Sequence, residues 1–467
     1  MNRSIPLILA VALLMEQMDS TVIATSLPAI AADIGTSPIA LKLALTAYLV
    51  ALAIFIPVSG WMADRFGAKR VFRIAILVFV AGSILCAVSG SLIAFVLSRF
   101  LQGMGGAMMT PVARLVLVRA VPRNELVSAM AWLTIPALIG PIIGPPLGGF
   151  ITTFFTWHWI FLINVPIGLA GIVASGYVLP EIEPGPPRRF DLPGLLLAGT
   201  AASGVVFGLS VVSLPALPPA VGIAAVAAGV LAAVGYVVHA RGHAAPVLDL
   251  GLFAKPVFRQ TITGSSLFRV GAGATPFLLP LMFQIGFGLS PFQSGMVTFV
   301  SAGGAMAMKF IATSLLRAGG FRTVLLFAAV AGSLLSAAVA LFVPGTPYAL
   351  IFAVLFASGF IRSLFFTSAN ALVFADIRDE EASQATAMAS VAQQISIALG
   401  VALAGGVLEL YTLATGRPLE LDAFATAFIG VGAVMMLSIF PFLQLTPDAG
   451  SAVSGHSRRM AAHQPPG

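Results

Sequence analysis

Runs of apolar residues dominate the sequence. Read between charges and helix breakers, they fall near 5–30, 39–62, 71–89, 92–118, 124–152, 158–179, 192–213, 218–239, 257–285, 292–316, 321–343, 348–374, 383–412 and 422–445. Each meets the length of about 20 residues that a helix needs to cross a bilayer, and in hydrocarbon only a helix or a closed barrel satisfies its own backbone. The chain is therefore expected to be an all-α polytopic membrane protein with 14 transmembrane helices. A mean hydropathy of +1.03 and a charged fraction of 9% leave no stretch for a sizeable soluble domain. The first run carries Glu16 and Asp19 and extends beyond the short uncharged centre of a secretory signal, so it is expected to remain as helix 1. Cys86 is the sole cysteine, which excludes a disulfide framework and a cysteine-based metal site.

Lysine and arginine set the orientation, because short cytoplasmic loops retain them. One face receives Arg3, then Arg65, Lys69, Arg70 and Arg73, then Arg114, Arg119 and Arg123, then Arg188 and Arg189. The same face continues with Arg241, Lys255, Arg259, Arg317, Arg322, Arg378, Arg458 and Arg459, whereas the other receives only Lys42 and Arg417. An imbalance of 18 to 2 places both termini in the cytoplasm and requires an even number of spans. This dispersal of basic residues also removes nucleic acid as a partner, despite a net charge of +7.

A repeat is visible as well. Leu27-Pro28 and Gly35 to Pro38 return as Leu279-Pro280 and Gly288 to Pro291, and Arg65-Phe66-Gly67 returns as Arg317-Ala318-Gly319, at offsets of 252 or 253. Two six-helix halves follow, with helices 7 and 8 inserted: a first bundle over 1–180, a linker and inserted pair over 181–256, a second bundle over 257–446, and a disordered tail over 447–467. Pro184, Pro186 and Pro187 stiffen the linker. Paired halves of this kind build a transporter that rocks around a midplane site.

Between helices 2 and 3 stands Gly60-Trp61-Met62-Ala63-Asp64-Arg65-Phe66-Gly67-Ala68-Lys69-Arg70. Gly60 is expected to let helices approach, Asp64 to accept hydrogen bonds from a helix N-terminus or pair with an arginine, and the basic cluster to hold the loop to anionic lipid. In helix 5, Gly140-Pro141-Ile142-Ile143-Gly144-Pro145-Pro146-Leu147-Gly148-Gly149 removes backbone donors and spaces glycines for close contact, which predicts a kinked, tightly packed pivot. Helix 1 carries Met18-Asp19-Ser20-Thr21-Val22-Ile23, helix 4 carries Arg99-Phe100-Leu101-Gln102-Gly103, and Trp157-His158-Trp159 precedes Ile160 to Pro166.

The first motif resembles the signature loop of the major facilitator superfamily, and the second resembles the antiporter motif of its proton-driven exporters. Nearly the whole chain is similar to the fourteen-helix drug:proton antiporters of the EmrB/QacA type. In detail it is similar to their MdtD-like subgroup, through Gly106-Ala107-Met108-Met109 before Pro111 and the Trp-His-Trp spelling. Ala24 departs from the commonest pattern, where Asn often stands. The resemblance implies the major facilitator fold in a bacterial-type inner membrane and export in exchange for protons. It also implies that Gly60, Asp64, Arg65, Gly67, Lys69 and Arg70 latch the cytoplasmic side of the outward-open state, with Gly140, Gly144, Pro145, Gly148 and Gly149 as the antiporter segment.

Six ionisable residues fall at depth within the spans: Glu16, Asp19, Arg99, Arg269, Lys309 and Arg362. Each costs about 2.5 to 3.5 kcal/mol to insert, so each is expected to face an internal cavity or a partner. Glu16 and Asp19, three apart, share a helical face, and at about 1.5 Å per residue Asp19 and Arg99 reach matching depths on oppositely directed helices. Burial and a neighbouring arginine act oppositely on a carboxyl group, so its protonation can follow conformation. Asp19 is the expected proton carrier, with Glu16 assisting and Arg99 tuning the pair; a static Asp19–Arg99 bridge is the alternative. Arg269, Lys309 and Arg362 have no deep carboxylate to match, and are expected either to contact substrate or to rest on backbone carbonyls, water or the interface. This excess of positive charge sets an organic anion or a metal chelate, such as a carboxylate, beside a multidrug cargo.

Other chemistry is thinly represented. His239 and His243 lie four apart with no cysteine or clustered acid, so no metal site is expected. No GxxxxGK[ST] occurs and no hydrolytic grouping shares a helical face, so neither an ATP engine, an enzyme nor a cofactor is expected. A non-transporting sensor would need soluble surface that the short loops scarcely provide. The expected partners are a small-molecule substrate, protons and membrane lipid.

Overall fold

The computed structural model describes residues 4–122, 125–181, 190–212, 214 and 217–451, and no strand occurs among them. The helices are α1 (Ser4–Val22), α2 (Leu27–Asp33), α3 (Lys42–Phe66), α4 (Ala68–Ala87), α5 (Leu92–Ala120), α6 (Leu126–Phe154), α7 (Trp159–Leu162) and α8 (Asn164–Val178). They continue with α9 (Leu192–Val212), α10 (Pro219–Gly242), α11 (Pro256–Leu281), α12 (Pro291–Ala338), α13 (Tyr348–Leu372), α14 (Ala382–Thr415), α15 (Leu421–Met436) and α16 (Ile439–Leu443). Among the described residues, 13 helical segments are long and apolar enough to cross a membrane, and Ile139–Phe154 in α6 is a shorter apolar stretch. The proline-rich linker at 182–189 and the tail beyond 451 lie outside the described residues.

Glycine makes the repeated turns. Gly35 and Gly288 both adopt φ +68°, and Gly67 (φ +85°) between α3 and α4 corresponds to Gly320 (φ +68°), which breaks α12 into two arms. Each pair is 253 positions apart (288 − 35 and 320 − 67). The glycine that turns the second half is thus Gly320, one residue beyond the Gly319 of the sequence match, because only one of the two adjacent glycines takes the left-handed conformation that disfavours a Cβ.

Apolar packing divides the molecule. One cluster, with Leu13, Phe72, Phe79 and Val116, lies wholly within residues 9–179, and another, with Phe268, Phe321, Phe365 and Phe442, lies wholly within 268–449. A third cluster joins the two regions, packing Ile23, Leu27 and Ile30 with Phe283, Leu408 and Phe424. Its members come from the helix ends remote from the Arg-rich turns. Polar contacts across the same seam run from Gln284 Nε2 to the Thr25 carbonyl (2.9 Å) and from the Phe292 N–H to Thr153 Oγ1 (3.0 Å). Gly149 sits against the Pro291 carbonyl and Gly295 against the Pro145 carbonyl, so α6 and the first arm of α12 touch backbone to backbone. The molecule is closed at its Arg-poor face.

The inserted helices α9 and α10 pack through Gly204, Gly208, Gly222 and Gly229; a Cβ on Gly204 would stand 2.7 Å from the Ala225 carbonyl. Val206 of α9 reaches a small core shared with Val50 of α3 and Ala398 of α14, wedging the pair against both regions. Asp191 clamps the hairpin, accepting from the Gly194 N–H (2.9 Å), the Val247 N–H (3.2 Å) and His239 (Nε2 to Oδ1 2.6 Å). Burial works to raise the Asp191 carboxyl, but these donors together hold it below its usual range. The two histidines therefore do have an acid beside them, supplied from 48 residues away, and the absence of one in the local sequence was no guide to the fold.

The tight crossings differ in what they tolerate. Gly359 of α13 faces the Ser301 carbonyl, whereas a Cβ on Gly60 would meet nothing within 4 Å. Gly359→Leu is expected to destabilise the protein by about 1–3 kcal/mol or more, and Gly60→Ala by less than about 0.5 kcal/mol. Thermal melting of the two variants in detergent checks the contrast.

Candidate functional site

Three helices of the first region converge on Asp19. Arg99 Nη1 of α5 donates to Asp19 Oδ2 (2.7 Å), while Gln102 Nε2 of α5 and Asn164 Nδ2 of α8 both donate to Oδ1 (2.8 Å each). Arg99 also donates to Gln102 Oε1 (2.5 Å), and the two amides donate to Ser83 Oγ of α4 (2.8 and 3.2 Å). The Arg99 guanidinium lies over the Tyr48 ring of α3 at 4.3 Å, a desolvated cation on an aromatic face. Asp19 and Arg99 are 3% and 1% exposed, so the pair is removed from water. Local sequence makes this possible: Arg99 and Gln102 share a helical face at a spacing of three. Gly103 and Gly105 bring α5 within touching distance of the α3 and α4 backbones, where a Cβ would stand 2.6 Å from the Tyr48 carbonyl and 2.5 Å from the Phe79 nitrogen.

Glu16, one turn before Asp19, is buried too and accepts from Thr110 Oγ1 (2.7 Å). The expected meeting of Asp19 with Arg99 is thus present in the structure, and Glu16 lies beside it with a separate partner. Gln102, Asn164, Ser83, Tyr48 and Thr110 were not singled out from sequence. Gln102 and Asn164 stand within the motifs quoted from helix 4 and from residues 157–166 but were given no role there, and the others carry no signal beyond a polar side chain in an apolar span, which many packed helices share.

The helix-5 segment acts on the same place. A Cβ on Gly140 would stand 2.9 Å from Gln17 Cβ, Gly144 lies against Thr21, and Gly148 lies against the Val22 carbonyl and Thr25. These glycines, four apart, form the bed for residues 17–25 of the first span and so carry α6 along the segment that holds Asp19. Gly149 and the Pro145 carbonyl continue the contact across the seam.

On the Arg-rich side, Asp64 accepts from Arg119 Nη2 of α5 (2.7 Å), both about one-third exposed, and Lys69 pairs with Glu181 (2.9 Å). Asp64 thus takes an arginine. Gly67 forms the turn, while Arg65 and Arg70 are exposed. Gly60 is exposed with open space at its Cβ position, so the close helix approach expected of it is absent.

The deep cations of the second region separate. Arg269 Nη2 of α11 donates to Asn370 Oδ1 (2.7 Å), and its guanidinium lies over Phe366 at 4.5 Å. Arg362, Phe366 and Asn370 are four apart and share one face of α13, and Arg362 has no side-chain partner among the described residues. Lys309 is exposed on the first arm of α12 beside the exposed Phe310 and is not part of this group.

One further pair was invisible from sequence. Lys42, counted from sequence only as a charge of the Arg-poor face, is the first residue of α3; it is fully buried and holds Glu409 Oε2 of α14 at 2.5 Å across the seam. Gly405 leaves the room in which the Lys42 stem lies.

Comparison with known proteins agrees with this architecture. The family model described as Major Facilitator Superfamily matches residues 9–401 and 261–459. MdtD of Yersinia pestis (strain Pestoides F), named for multidrug resistance, is 36% identical over 451 residues, covering 95% of this chain and 96% of that protein. Among solved structures, the POT family transporter PepTSo superposes with a TM-score of 0.72 at 13% identity, covering 95% of this chain and 97% of its own. A D-xylose-proton symporter does so with a TM-score of 0.67 at 15% identity, covering 96% and 98%.

Removing one partner of a buried ion pair strands the other charge. Arg99→Leu is expected to cost about 3–5 kcal/mol, and adding Asp19→Asn to it is expected to recover most of the loss. Equal melting temperatures for Arg99→Leu and the double variant would show that no buried charge had been stranded.

Proposed function

The chain belongs to the major facilitator superfamily, and from that premise we propose a proton-coupled exporter of small organic molecules, of the multidrug-efflux type, working by alternating access. The observation that carries this reading is the buried Asp19 carboxylate, held by Arg99, Gln102 and Asn164 within one half and flanked by the glycine bed of α6. In this reading 14 spans cross a bacterial inner membrane with both termini cytoplasmic. Bundles over 1–180 and 257–446 rock about each other, with 181–256 as linker and inserted pair. The Arg-rich face is then cytoplasmic, and closure at the opposite face is the inward-facing state that loads cargo. Transport is the activity; the chain carries cargo rather than converting it.

Rocking to the outward state parts the seam, so the Lys42–Glu409 pair separates while Asp19–Arg99, inside one bundle, travels intact. A proton arriving from outside neutralises Asp19 and weakens its attraction to Arg99. The added O–H needs an acceptor where an amide N–H now points. Asn164 Oδ1 is buried without a partner, and a half-turn of that amide presents it to the new proton. Return of the neutral bundle and loss of the proton to the cytoplasm complete the cycle. One proton moves inward as one cargo molecule moves outward, and each pH unit of gradient supplies about 1.4 kcal/mol.

The relatives named for multidrug resistance support a drug-like cargo. A second reading, export of an organic anion, is favoured by Arg269 and Arg362, two deep cations with only an amide oxygen and a ring face among their described contacts. A negative cargo would also gain about 2.3 kcal/mol per charge per 100 mV from an inside-negative potential.

Asp19→Asn is expected to abolish uphill efflux in proteoliposomes while folded protein is retained; full activity in that variant would sink the assignment. In the same vesicles under an imposed pH gradient, lipophilic cations and carboxylate anions can be compared for their ability to discharge it. On the anion reading, Arg269→Gln with Arg362→Gln raises KM at least tenfold for carboxylates; on the drug reading it leaves cation transport within about threefold.

A further inference from the structure

A groove outside the transport path lies between α4 and α8 at the Arg-rich end. It encloses about 570 Å³ and carries Lys69, Arg70 and Arg73 at its head, with Ile74, Leu77 and Ile172 below them. Arg70 and Arg73, three apart, share a face of α4. Both are exposed, and neither makes a side-chain hydrogen bond or ion pair with another described residue. Among the described residues Glu181 supplies the single carboxylate lining the groove, 87% exposed and engaged with Lys69 (2.9 Å), so there three cations face one anion. Gly176 of α8 faces the Arg73 head: a Cβ there would stand 3.6 Å from the guanidinium carbon, so a larger side chain would reach into its space. Below the basic rim, Ile74 and Leu77 are 45% and 54% exposed on the outer face of α4.

We propose that this groove binds one anionic phospholipid, its phosphate on Arg70 and Arg73 and an acyl chain along Ile74, Leu77 and Ile172. Guanidinium forks match phosphate oxygens in pairs, and the Arg-rich end of a membrane helix lies at headgroup level. Arg70 to Leu77 spans about 10 Å of helix, the drop from a headgroup to the first acyl segment. A soluble phosphate compound would find no use for the apolar lower half. The lipid would brace the turn at Gly67 that carries the Asp64–Arg119 pair, replacing the exposed Glu181 as the partner of the basic rim.

The test uses purified full-length protein without cargo or gradient, so its outcome is independent of the transport reading. Native mass spectrometry follows titration with phosphatidylglycerol and, separately, phosphatidylcholine. One saturable phosphatidylglycerol per chain is expected, with phosphatidylcholine at least tenfold weaker. Arg70→Ala with Arg73→Ala should weaken the adduct about 30-fold, from two cations at about 1 kcal/mol each. Arg241→Ala with Arg259→Ala, which removes equal charge from the same face, should change it less than threefold. Gly176→Leu fills the groove without altering charge and should also lose the adduct. Unchanged binding in the Arg70/Arg73 or Gly176 variant, or equal loss in both arginine doubles, overturns the site. Displacement by glycerol 1-phosphate at matched concentration overturns the lipid as its occupant.

Discussion

A charge taken out of water must find its partner inside the protein, and the stations of this molecule are set by where that requirement is met. Asp19 meets it by drawing donors from α5 and α8, and those donors lean in turn on Ser83 of α4. Four helices of the first region are thereby held to one carboxylate. Tyr48 closes the shell beneath Arg99 and excludes the water that would otherwise screen the pair.

Lys42 and Glu409 meet the same requirement across the seam rather than within a region. One buried ion pair thus lies inside a region and the other joins two. A rigid rotation of one region against the other would leave Asp19–Arg99 intact and break Lys42–Glu409, and the separated partners would regain water, which offsets part of the loss of their contact. Around the seam the halves touch through glycine and carbonyl groups at Gly149 and Gly295. Such contacts are short-ranged, closing firmly when complete and holding little once parted.

Charge in an apolar run is a conspicuous anomaly, which is why Glu16, Asp19, Arg99, Arg269 and Arg362 could all be picked out from composition along a helix. The uncharged members of the Asp19 shell could not, because Ser, Asn and Gln occur in many spans with no more role than a bond to their own helix, as Ser368 has with the Leu364 carbonyl. Lys42 was missed for another reason. It stands at the boundary between a turn and α3, where a residue is exposed or buried according to what the opposite half places above it. Gly60 fails in the reverse sense: its residue type suggests contact, but it lies on the exposed face of its helix, and of the two placements open to Lys309 the structure shows an exposed one.

The sequence by itself determined the all-helical, membrane-spanning character of the chain, the repeated turn glycines and the acid that cannot lie in lipid unattended. These follow from periodicity, length and transfer cost, which are local properties of the chain. Only the tertiary structure decided who answers each charge, because Asp19 with Asn164 and Lys42 with Glu409 meet across 145 and 367 positions. Contacts at that separation depend on how helices cross, and crossing is set by the shapes of whole packed faces rather than by any neighbouring residues in the chain.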